Sequence, residues 1–194
     1  DMRLKLLLLK FLFVTFVSCK IASVPYTQSM KDNLANMFKV DQQVQTWDEA
    51  RLEDQQYIDS MNIAGEKVFR ENCNVVKEYF RKYSYPGVKE NGKETAMHFW
   101  TIVQHADHDV EFQAQVLEAM KKQLKKNNVN RRNYAYLYDR VHKNLGKEQL
   151  YGTQIDWSSG TAQPYKLKHP DKVNELRKEM ELEPIEEYLA SFSN

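Results

Sequence analysis

Only two of the 194 residues are cysteine, six are glycine and five are proline. So few thiols exclude a disulfide-framed mini-domain. So few glycines and prolines argue against a many-stranded β fold, which needs turn residues between strands. Neither sign of charge dominates: 28 Lys and Arg stand against 27 Asp and Glu, a net charge of +1. That balance gives no global field to attract nucleic acid, and none is expected as a partner. Long apolar runs are missing except at the N-terminus, which excludes a multi-span membrane protein. Also absent are G-x-S-x-G, G-x-G-x-x-G, a Walker loop, C-x-x-C and H-E-x-x-H. The sequence therefore carries no ready-made nucleophile elbow, dinucleotide loop, phosphate loop or zinc pair. What it does carry is 42% hydrophobic and 28% charged residues, the composition of a globular chain.

The N-terminus reads as an address. Arg3 and Lys5 precede an apolar run, Leu6 to Leu9 and Phe11 to Val17, broken only by Lys10. A charged head and short apolar body predict an export signal over residues 1–18, because a membrane span takes about 20 apolar residues. The run ends in Phe16-Val17-Ser18-Cys19, which resembles a bacterial lipoprotein box. The resemblance implies a lipid on Cys19, a polar tether over 19–30, a membrane partner through that anchor, and a place in the bacterial cell envelope. The remaining chain, 31–194, is long enough for one domain that buries roughly 70% of its unfolded surface. With Cys19 lipidated, Cys73 has no disulfide partner and reads as a buried, inert thiol.

Apolar spacing predicts a mainly α fold: a single helical domain of about six helices with one β-hairpin near the C-terminus. Leu34, Met37 or Phe38, Val40, Val44 and Trp47 mark a helix over about 32–49. A second helix runs over about 48–83, with a potential break at Gly65 and a stop at Tyr85-Pro86-Gly87. Residues 94–106 are apolar nearly all round, so this helix is expected at the centre, and its His98, Gln104 and His105 need polar partners. Asp107 or Asp109 can cap a helix over about 110–126, on whose apolar stripe Gln113 falls; Asn130 can cap another that runs to about 144. Periodicity is lost over 146–169, where Gln149–Trp157 and Thr161–Leu167 read as two strands around Ser158-Ser159-Gly160. Two short helices, 171–180 and 184–192, close the chain.

Four separated segments then occur in order: Gln104-His105-Ala106-Asp107, Phe112-Gln113, Asp139-Arg140-Val141 and Tyr151-Gly152-Thr153-Gln154. Over about residues 34–190 the chain resembles a bacterial family known only as a domain of unknown function, marked by Q-H-A-D, D-R-V and Y-G-T-Q segments. Asp41-Gln42, Tyr85-Pro86 and Arg177 fit the same pattern, whereas Gln45 and Thr46 stand where that family often has Arg. The resemblance implies no particular activity.

These residues suggest one polar pocket. His105 is the candidate general base, with Asp107 or Asp139 orienting its ring. Arg140 is the candidate clamp for a carboxylate, phosphate or transition-state charge. Asp41, Gln42, Gln104, Asp107, Gln113, Gln149, Tyr151 and Gln154 are candidates for holding a polar small molecule, glycan or peptide. With no nucleophilic side chain in view, water would attack, and a hydrolytic reaction on an envelope or secreted substrate is the expectation. His105, Asp107, His108 and Asp109 could in principle ligate a metal, but adjacent residues of a tight loop seldom converge on one ion, so neither metal nor cofactor is expected. By periodicity alone Asp139 lies opposite its helix's apolar stripe and reads as solvated. The same residues would equally suit a buried network that only fixes the fold of a binding or scaffold lipoprotein.

Overall fold

The computed structural model describes residues 25–192. They form a mainly α domain with eight α-helices and one short antiparallel hairpin. None of the described helices is long and apolar enough to cross a membrane. The signal, the lipidation residue Cys19 and most of the expected tether lie outside the described residues. The packed domain starts before residue 31, however. Helix α1 covers Gln28–Gln43, the Thr27 hydroxyl caps it by accepting from Met30 N–H at 3.3 Å, and Tyr26 is buried.

The buried stripe of α1 is Met30, Leu34, Met37 and Asp41, at spacings of four, three and four. Val40, expected inside, is 43% exposed. A 3-10 turn at Glu49–Arg51 separates α1 from α2, Gln55–Tyr83, which Asp54 caps by accepting from Tyr57 N–H at 3.0 Å. Gly65 does not break α2, because it is buried against the Phe69 ring and keeps the helix packed. One turn of helix, α3 (Val88–Asn91), leads into α4, Lys93–Gln104.

Helix α4 is the expected centre. It packs against α1, α2 and α3 as well as α5 (Val110–Leu124) and α6 (Arg131–Asn144). Phe99, Ile102 and Val103 join Leu34, Val76, Val116 and Leu137 in the core. Asp109 caps α5 by accepting from Phe112 N–H, and Asn130 caps α6 by accepting from Asn133 N–H, both at 3.0 Å. Cys73 is free and buried in this core, where burial pushes its thiol up to about 11.

The hairpin is shorter than expected. Strand β1 (Ile155–Asp156) pairs with β2 (Gln163–Pro164), and one further parallel bridge joins Gln149 to Leu167. Side chains hold the rest of the segment in place of a ladder. Helices α7 (Val173–Glu179) and α8 (Ile185–Ala190) finish the fold.

Candidate functional site

Helix α4 ends at Gln104, and the chain turns through His105-Ala106-Asp107-His108 to the Asp109 cap. This turn brings an imidazole and a carboxylate to the mouth of a cleft of about 420 Å3. The other walls come from Gln45 after α1, from Asn62, Glu66 and Phe69 on α2, and from Arg140 on α6.

His105 Nδ1 lies 2.9 Å from both carboxylate oxygens of Asp41. A carboxylate only accepts, so Nδ1 carries a proton and donates it, which in the neutral ring leaves the lone pair on Nε2. Among the described residues no hydrogen bond occupies Nε2. Asp41 is 0% exposed, and its Oδ2 also accepts from Gln42 Nε2 at 2.9 Å and Gln45 Nε2 at 3.0 Å. The Phe69 ring leans on the imidazole with centroids 5.2 Å apart. A buried, hydrogen-bonded carboxylate thus fixes the orientation of a histidine that lines the cleft.

Asp107 and Arg140 form the second pair. Arg140 Nε and Nη2 each donate at 2.8 Å to one oxygen of Asp107, a two-pronged ion pair. Asn144 Nδ2 at 2.8 Å and Gln113 Nε2 at 3.1 Å also donate to Asp107. Burial alone would lift the Asp107 carboxyl, but Arg140 and the two amides outweigh it and hold it below the usual range. Among the described residues, Arg140 Nη1 makes no hydrogen bond. Fully buried Gln113 also donates to the carbonyls of Val103 and Gln104, which closes the open end of α4. The other loop residues have separate tasks. Asp109 holds the α5 cap and accepts from Lys77 Nζ at 2.6 Å, which keeps its carboxyl low. His108 lines the cleft, and burial followed by the nearby Arg70 charge lowers its ring.

Of the residues expected to converge, His105, Asp107 and Arg140 line the cleft, while Asp41 with Gln42 backs His105 and buried Gln113 backs Asp107 from outside it. Asp139, Gln149, Tyr151 and Gln154 do not. Asp139 neighbours Arg140 in sequence but points away from it, under the segment that follows α6. It is 0% exposed and accepts the N–H groups of Leu150, Tyr151 and Thr153 and the Thr153 hydroxyl. Burial pushes its carboxyl up, and those four donors offset only part of that. Asp139 therefore neither solvates a surface nor orients His105; Asp41 fills the orienting place.

Gln149 fastens the same segment by donating to the Gln154 and Tyr165 carbonyls and accepting from Gln154 N–H. The Tyr151 carbonyl accepts from Nη1 of Arg177 at 2.7 Å, and Gln154 Nε2 donates to the Thr153 hydroxyl at 3.3 Å. Arg177 is itself 0% exposed and lies over the Tyr188 ring; burial lowers its guanidinium. Gln104 is buried outside the cleft, and its Oε1 has no hydrogen-bond partner.

Sequence reasoning missed Asn62, Glu66 and Phe69, which lie on the face of α2 that reads as solvent-facing. It also placed Asp41 among ligand contacts. The available signal was a carboxylate four residues after Met37 on an apolar stripe, a position that demands a partner. A larger hollow, about 740 Å3 between the starts of α4 and α6, holds none of the expected site residues.

Residues 28–194 match the model of a family of unknown function, DUF6624. The chain belongs to that family. No curated protein and no solved structure matches it. The Q-H-A-D turn of this DUF6624 domain builds the cleft, whereas its Y-G-T-Q segment and Asp139 build the sealed cluster behind it.

Proposed function

We propose that the cleft is a general-base site at which His105 Nε2 takes a proton from water and the water attacks a polar substrate. The observation that carries this reading is the Asp41–His105 contact. His105 spends Nδ1 on a fully buried carboxylate, lines the cleft, and makes no hydrogen bond through Nε2 among the described residues. Asp41 supports the positive charge that develops on the ring, and Arg140 Nη1 offers donors to the oxygen that gains charge as water adds. The pair with Asp107 holds the Arg140 fork still without consuming those donors.

We further propose that the chain is exported and held at the bacterial cell envelope by lipid on Cys19, so that the substrate is an envelope or secreted molecule. The sealed cluster of Asp139, Gln149, Tyr151, Gln154 and Arg177 favours the scaffold reading for those residues alone.

Nitrogen-detected NMR of the histidine rings, together with turnover of chromogenic esters, amides, glycosides and phosphoesters, tests the proposal. The expected result is a proton on Nδ1 of His105, a bare Nε2, and turnover that falls at least about 100-fold in His105→Gln without loss of folding. A proton on Nε2 in the wild type, or full turnover by His105→Gln, overturns it.

A further inference from the structure

The charges around the cleft are already matched. Asp107 is paired with Arg140 and Glu66 with Arg70 at 2.7 Å, while Asp41 is fully buried behind His105 and out of a ligand's reach. An anionic ligand would have to pull Arg140 from a two-pronged pair, or lie beside Asp107 and Glu66. A cationic ligand would meet Arg140 and Arg70. What remains unspent is neutral or donor-only: Nε2 of His105, the Asn62 amide, the His108 ring and Nη1 of Arg140. Between them these groups offer both donors and acceptors, which suits hydroxyls, since each hydroxyl can do both. The Phe69 ring is part of one wall, and an aromatic ring's electron-rich face favours the weakly positive C–H groups of a saturated ring. The walls are side chains of α2, α6 and two turns, with no strand edge among them for an extended peptide to join and no apolar groove for a helix. The volume, about 420 Å3, lies within the range of small-ligand clefts.

We infer that the cleft takes an uncharged saccharide, seated with the carbon face of a ring on Phe69 and its hydroxyls toward His105, Asn62 and Arg140. This inference rests on the proposed general-base reading for the chemistry, but the binding stands apart from it.

The test is calorimetric titration of the full chain with maltotetraose, cellotetraose and triacetylchitotriose. Oligogalacturonate, chitosan trimer and a blocked tetra-alanine serve as the charged and peptide probes. At least one neutral sugar is expected to bind, with the charged sugars and the peptide about tenfold weaker or worse. Asn62→Ala, on the surface, and Phe69→Leu, which keeps apolar bulk and removes the ring, should each weaken that sugar about three- to tenfold. Failure of all three neutral sugars, tighter binding of a charged or peptide probe, or indifference to both substitutions overturns the inference. Sugar binding without turnover would keep this inference and sink the general-base reading. His105-dependent turnover without sugar binding would do the reverse.

Discussion

Asp139→Asn preserves shape and removes one acceptor, so its cost can be worked from the donors around it. Oδ1 receives Leu150 N–H at 2.9 Å and Tyr151 N–H at 3.1 Å, and Oδ2 receives Thr153 N–H at 2.9 Å and the Thr153 hydroxyl at 3.0 Å. The hydroxyl can turn and accept from a new NH2 group, but a backbone N–H cannot. Whichever oxygen is replaced, at least one buried amide is left facing a donor, a loss of about 1–3 kcal/mol. The surviving bonds lose their charge assistance, which adds about 1 kcal/mol. The sum, about 2–4 kcal/mol, is a large part of a typical stability of about 5–15 kcal/mol. At about 2–4 °C per kcal/mol for a chain of this size, Tm should fall by roughly 4–16 °C in scanning calorimetry. Hydrogen exchange should show residues 149–154 opening first. A Tm within about 2 °C of wild type, with protection of that segment unchanged, would refute the claim that this carboxylate fastens the segment.

Three other outcomes are expected. The Asp107 carboxyl is held low in the fold, so its contribution is present above the unfolded value, near 4, and is lost as pH falls through the lower folded one. The wild-type advantage over Asp107→Asn in urea, under about 1 kcal/mol because the pair is half-exposed, should therefore vanish in acid; a pH-independent difference would contradict this. Gly152→Ala should cost about 1–2 kcal/mol in the same assay, because φ is +66°, and the added Cβ need only displace the tip of the Ile185 side chain; an unchanged midpoint would tell against it. Cys19→Ala should abolish incorporation of labelled fatty acid and release the chain from membranes, and retained label would rule out the lipid anchor at that residue.

Sequence periodicity makes the helical architecture legible because an apolar stripe can be buried in few ways. The cap at Asn130 is readable for a similar reason, since a short polar side chain just before an amphipathic run has one obvious task, whereas the α5 cap stays open between Asp107 and Asp109 until the turn's geometry selects Asp109. The hairpin was overdrawn because its residues are held by Asp139, Gln149 and Arg177, which look like unrelated polar positions until the chain folds over them. Asp139 shows the limit most clearly: its helix places it opposite the stripe, and only a later segment turns that exposed face into an interior. His105 and Asp107 could be picked out from their helix-end position and the family resemblance. Asn62, Glu66 and Phe69 could not, because a polar helix face looks the same whether it borders a cleft or bulk water.

Helix α1 starts three residues into the described chain, and one of its last residues is the carboxylate that sets the His105 ring. The first described helix is thus a mechanical part of the proposed site and not merely a stem for the domain. A fragment that started at α2 would retain the imidazole, the guanidinium and the aromatic wall. It would lose command over which nitrogen holds the proton. Sliding α1 by a single turn, about 5.4 Å, would uncouple the two groups just as completely.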